Sequence, residues 1–143
     1  MWRRQSKHLR IARPTLDLDR AERFWTQGVG MSTLYRSRRA DPENLTMVGF
    51  PGAGWHIELT HDPASPVTPH STVEDLVVIY LDGEVPAALI DRIREHGGNV
   101  VQHPNPYWNE WGVTFVDPDS YHLVLSRERW TNIPLDQSRD DGG

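Results

Sequence analysis

The chain has 143 residues, with no cysteine, six tryptophans, and 15 basic against 20 acidic residues for a formal charge of −5. That length suits one domain with its own core, and the missing cysteines exclude disulfide staples, a thiolate nucleophile and Cys-ligated zinc or iron–sulfur sites. A negative charge without a basic block argues against nucleic acid as a partner, and no apolar run approaches the roughly 20 residues that span a bilayer.

In chain order, the basic start MWRRQSKHLR leads into a short alternating segment rather than an apolar signal core. A strand is expected over Lys7–Arg13. Leu18, Ala21, Phe24 and Trp25 then fall on one helical stripe, with Asp17 or Asp19 to cap it and Gly28 to end it. Strands follow over Met31–Arg36, Asn44–Phe50 and Trp55–Thr60, separated by breaks at Arg38–Glu43 and Pro51–Gly54. Residues 63–72, with Pro63, Pro66 and Pro69, read as a linker. The apolar run Asp75–Leu81 is the next strand. A second helix carries Val85, Ala88, Leu89 and Ile93 on one stripe, has Pro86 in its first turn, and stops at Gly97-Gly98. Strands Asn99–Gln102, Gly112–Val116 and Tyr121–Ser126 complete the chain, with His103–Asn109 as a loop. Residues 131–143 are a polar tail expected to be flexible.

The order β-α-β-β-β therefore occurs twice, as module 7–62 and module 73–127 of a single domain, an internal repeat. Arg10 matches Val77, 67 residues on, and Glu58 matches Val124, 66 residues on.

The stretch HLRIARPTLDLDRAERFWTQGVGM resembles the opening of vicinal oxygen chelate proteins, the glyoxalase/bleomycin-resistance/dioxygenase superfamily: a strand, D-L-x-R-A-x-x-F-[YW], and a helix ending in [LV]-G. VTFVDPDSYHLVL is similar to the closing hairpin of that superfamily. RIARPT, HIELT and NPYWNEWGVTF look like a bacterial subgroup of short glyoxalase-like proteins without an assigned reaction. The resemblance covers residues 7–127. It implies an α+β fold of two tandem βαβββ modules whose curved sheets enclose a central cavity, and it implies a homodimer. Its metal-dependent members take one ligand from the first and one from the fourth strand of each module.

Carried onto this sequence, those four positions are Arg10, Glu58, Val77 and Val124. Glu58 can ligate a metal. Arg10 offers only donors and a permanent positive charge, and the two valines have no donor atom. A divalent ion would need Glu58 together with the rescue ligands His8, His56 and His122, each of the three histidines reached by a two-residue slip that keeps strand parity. Asp75 is a further slip candidate. Without a metal, Arg10 and Glu58 are expected to pair across the vacated position. They act there either as a structural ion pair or as a receptor in which Arg10 takes a ligand oxygen.

Catalysis, if present, would use Glu58 as base with His56 or His122 assisting. His61, His70 and His103 read as linker or loop residues. The run NPYWNEW places Asn105, Tyr107, Trp108, Asn109 and Trp111 at the expected cavity mouth. These residues suit either a small-molecule pocket or a plug between modules. Asp117/Asp119 and Asp140/Asp141 read as turn and tail, Trp25 as scaffold.

Two functions stay open: a metal-free binder of a small organic molecule in the cavity, without a cofactor, or an enzyme. The enzyme would be a lyase, isomerase or dioxygenase with atypical metal ligands, or a metal-free acid/base catalyst. A thiol-free chain fits the cytoplasm.

Overall fold

The computed structural model describes residues 7–37 and 44–137. Trp2, the Arg38–Glu43 break and the end of the tail with Asp140 and Asp141 lie outside the described residues. The strands are β1 (Leu9–Pro14), β2 (Ser32–Ser37), β3 (Asn44–Gly49), β4 (Trp55–His61), β5 (Leu76–Tyr80), β6 (Asn99–Val101), β7 (Gly112–Val116) and β8 (His122–Ser126). They form two four-stranded sheets, ordered β1-β4-β3-β2 and β5-β8-β7-β6. In each sheet the first strand runs parallel to the fourth and the other pairings are antiparallel. The two modules share one α+β topology, the glyoxalase/bleomycin-resistance fold.

Helix α1 (Leu18–Arg23) starts where the Asp17 side chain accepts from the Arg20 backbone N–H at 3.0 Å. Its stripe continues through a π-helical turn, Phe24–Gly28, which keeps Phe24 and Trp25 facing inward. Helix α2 (Ala87–Glu95) follows Pro86 and ends at Gly97, whose φ of 97° is the left-handed conformation that glycine tolerates. Gly98 next to it has no room for a side chain, because a Cβ there would lie 2.5 Å from Ile93 Cγ2 and 3.0 Å from Phe24 Cε2.

That close approach belongs to a core common to both modules. Leu18, Ala21, Phe24 and Trp25 from α1 and its extension join Val48, Ile57 and Leu59 of the first sheet. Ile93 of α2 and Phe115, Leu123 and Leu125 of the second sheet complete the same cluster. Helices α1 and α2 thus lie on one side of the sheets, and the opposite face of each sheet, free of those two helices, is termed its helix-free face.

A clasp reinforces the seam. The turn Asp117–Tyr121 is gripped by the start of the first module: Thr15 Oγ1 donates to Asp119 Oδ2, the Leu16 N–H to Asp119 Oδ1, and Arg20 Nη2 to the Pro118 carbonyl. The Arg13 guanidinium lies 4.3 Å from the centre of the Tyr121 ring. Inside the turn, Asp117 accepts from the N–H groups of Asp119 and Tyr121. Burial pushes its carboxyl up to about 6 despite those bonds, and lowers the pKa of the Arg13 guanidinium. The reading of Asp117 and Asp119 as turn residues matches this geometry.

Three expectations change. Residues 106–111 are not loop but a short helix, α3 (Pro106–Trp111), because Asn105 caps it by accepting from the Tyr107 N–H and Pro106 suits its first position. Val77 does not face the same way as Arg10. It packs against the common core with Ile79, so Leu76, Val78 and Tyr80 take the helix-free face. The register pairs Arg10 with His56 and Leu76 with His122, an offset of 66 for both members, so the partner of Arg10 in the repeat is Leu76. An unbroken apolar run hides its parity, which is why the sequence alone misplaces it by one residue.

Candidate functional site

β1 and β4 run parallel with Arg10 beside His56 and Ala12 beside Glu58. Alternation puts His8, Arg10, His56 and Glu58 together on the helix-free face of the first sheet, while Ile57 and Leu59 enter the core and Trp55 packs against it. The four polar side chains are connected. Arg10 Nη1 lies 2.9 Å from Glu58 Oε2, and Arg10 Nε donates to His56 Nε2 at 3.2 Å. His56 Nδ1 lies 2.6 Å from His8 Nε2, with the two rings tilted and their centres 4.9 Å apart. Arg10 is 54% exposed and Glu58 only 14%, so the guanidinium stands outward over the carboxylate. His56 is buried beneath His8 and Arg10, and burial, then the neighbouring His8 and Arg10, lower its pKa.

This donor set does not fit a metal of the superfamily kind. The guanidinium occupies the centre of the group, and both ring nitrogens of His56 are already engaged. Among the described residues no three His, Asp or Glu side chains gather in a way that could hold a metal ion. In the second module the equivalent positions carry Leu76 and Val124. His122 is separate from His8, His56 and Glu58, set instead against the His103 ring at 6.0 Å. Asp75 accepts from the Thr72 N–H in the turn before β5.

The helix-free face of the second sheet is covered. Val124 is fully buried yet stands outside the common core, and Thr114 and Ser126 on the same face are also buried. The cover is α3 with its leading loop. His103, buried, has Nε2 at 2.8 Å from the Val73 carbonyl and accepts the Asn105 N–H at Nδ1. Asn109 closes both backbone groups of His103, accepting its N–H and donating to its carbonyl, each at 2.8 Å. Tyr107 Oη donates to Glu128 at 2.8 Å, and the Arg127 guanidinium lies 5.1 Å from the Trp111 ring centre. Tyr80 on the same face stacks against Trp130. Asn105 and Asn109 are therefore spent on local structure, Trp108 is half-buried against Tyr107, and Tyr107 and Trp111 keep exposed edges. His122 Nδ1 and Thr114 Oγ1 are buried without a hydrogen-bond partner, and burial, then His103, lower the His122 pKa.

Of the other histidines, His61 is half-buried with Nδ1 at 3.0 Å from the Thr15 carbonyl, and His70 is exposed. Between the modules lies a crevice of about 210 Å³ lined by Ile11, Trp55, Ile57, Leu76, Val77 and Val78. No helix among the described residues is long and apolar enough to cross a membrane. Two neighbours of the polar group escape a sequence reading. Gly49 is one: a Cβ there would come 3.0 Å from Leu34 Cδ1 and 3.2 Å from His56 Cβ, so the bare glycine lets Leu34 sit beside the histidine. The only signal for them is the β2–β3 pairing, which a sequence does not print.

Comparison with known proteins agrees with this architecture. Residues 9–60 match the model of the YycE-like N-terminal domain and residues 74–127 that of the YycE-like C-terminal domain. The uncharacterized protein YycE of Bacillus subtilis is 31% identical over 126 residues, covering 87% of this chain and 91% of that protein. The crystal structure of a B. subtilis YycE protein of unknown function superposes with a TM-score of 0.74 at 30% identity, over 89% of this chain and 93% of that one. Lactoylglutathione lyase of Escherichia coli O157:H7 is 30% identical over 122 residues, 79% of this chain and 86% of that enzyme. At the level of fold alone, TnmS3, an antibiotic binding protein from Streptomyces sp. CB03234, gives a TM-score of 0.57 at 24% identity, over 87% of this chain and 98% of that one. The chain belongs to the YycE-like family, within the vicinal oxygen chelate superfamily.

Proposed function

We propose that the protein binds a small organic molecule against the helix-free face of its first module, at the Arg10 group and its surroundings, without a catalytic metal. One observation carries this reading: a guanidinium, held by Glu58 and His56, stands half-exposed at the centre of the connected polar group on that face. A permanent cation there disfavours a divalent ion and favours a ligand acceptor atom. The antibiotic binding protein TnmS3 has a comparable fold, which supports a binding role as one the fold can host. We place the binder in the cytoplasm as a homodimer, in which a second copy would wall the open face and complete the intermodule cavity.

Metal analysis and ligand titration of the purified protein test this. The expected result is substoichiometric metal and a saturable tryptophan-fluorescence response to small aromatic ligands. Stoichiometric divalent metal that disappears in Glu58→Ala would overturn the metal-free reading.

The second reading is an enzyme, favoured by the identity to lactoylglutathione lyase over most of both chains. In it Glu58 acts as base. The Arg10 guanidinium lies against that carboxylate, and a substrate proton would have to reach it past this contact.

A further inference from the structure

We infer that the ligand of this face is a carboxylate, received jointly by the Nη2 edge of Arg10 and the Nδ1–H of His8. The inference rests on the first-module binding reading and names the ligand's chemical class.

The polarity of the chain of three side chains follows from its inner end. Arg10 Nε can only donate, so His56 Nε2 accepts. A neutral imidazole carries one N–H, and His56 must therefore carry it at Nδ1. That nitrogen faces His8 Nε2 at 2.6 Å, so His8 accepts there. A His8 protonated at both nitrogens would turn an N–H toward an N–H, which the short contact forbids. With Nε2 accepting, the ring hydrogen of His8 sits on Nδ1, and the edge it presents away from His56 is a donor.

Arg10 is committed at Nε to His56 and at Nη1 to Glu58, and its Nη2 has no partner among the described residues. A molecule arriving from solvent meets these outer donors first, because His8 and Arg10 are exposed while His56 and Glu58 lie beneath them. Two donor groups on one face, one of them charged and planar, suit the two oxygens of a carboxylate. Glu58 holds the guanidinium in its orientation, as an outer partner orients a ligating group.

The rest of the ligand is apolar. Leu34, 46% exposed, reaches over Gly49 to the side of His56, and Tyr35 on the same strand is exposed too. A carboxylate on a ring or a short hydrocarbon satisfies both halves of the surface.

The test uses the full chain and three probes of one skeleton: benzoate, benzamide and benzylamine. Nitrogen-15 spectra of the histidine rings report tautomers, and chemical-shift titration reports affinity. Expected are the Nδ1–H tautomer for both His8 and His56, and saturable binding of benzoate alone. Arg10→Gln should weaken it about tenfold or more, the loss of one charge-assisted contact. His8→Phe should weaken it several-fold while leaving the fold's amide spectrum intact. An Nε2–H tautomer at His56 overturns the donor assignment without any ligand. Benzamide binding as well as benzoate, unchanged in Arg10→Gln, overturns the carboxylate class but leaves a small-molecule binder standing. No response to any probe overturns both.

Discussion

The two modules share topology, register and core, and differ in what lies on their helix-free faces. The first carries a connected polar group under an exposed guanidinium, with Leu34 and Tyr35 beside it. The second carries Leu76, Val78, Val124 and a His122 set against the His103 ring, roofed by α3 and by Trp130 on Tyr80. The scaffold is thus the same in both modules, and the side chains on the two faces are what differ. Function in such a fold follows the side chains on the face, not the repeat.

The largest expected effect concerns what the modules share. Phe115 is fully buried in the common core, so Phe115→Ala should cost about 3–5 kcal/mol. Urea unfolding should remain a single transition for both halves. Two separated transitions would show that the modules fold independently.

The clasp sharpens the comparison through pH. Asp117 titrates near 6 in the folded chain, against 3.8 for an ordinary aspartate. A raised carboxyl stabilises the folded state most at low pH, and the advantage is lost as pH rises from about 4 to 6. Asp117→Asn should remove that loss, so its stability relative to the parent should rise by roughly 2–3 kcal/mol across the window. Paired thermal melts at pH 4 and 7 check this, and a parallel pH dependence in both proteins would contradict it.

Smaller effects separate the faces. Asn109→Ala removes both bonds to the His103 backbone and should cost about 1–2 kcal/mol. Its readout is faster amide exchange in α3 with first-module binding unchanged. Asp17→Ala removes the cap of α1, worth about 1 kcal/mol. The corresponding helix of the second module, α2, has no equivalent device, since Pro86 at its start makes no side-chain cap.

Much of this was legible in the sequence, for identifiable reasons. Helical stripes and strand alternation are local signals, so the doubled β-α-β-β-β order and the common face of His8, Arg10, His56 and Glu58 could be read directly. The Arg10–Glu58 pairing followed from opposite charges once the family resemblance put both residues at one ligand site. Val77 was misplaced because a strand apolar on both faces has no parity to read. α3 was missed because Asn-Pro marks a break as readily as a helix start, and a six-residue helix has no periodicity. The contacts between Thr15 and Asp119, 104 residues apart, and the bond between His8 and His56 depend on tertiary closure.

Chemical-shift mapping of the labelled chain against a mixed set of anionic, neutral and cationic aromatic fragments tests the difference between the faces most directly. The account predicts that saturating shifts gather at His8, Arg10, Leu34, Gly49, His56 and Glu58. Shifts gathered instead at α3, Thr114 and His122 would contradict it, placing the binding face on the second module.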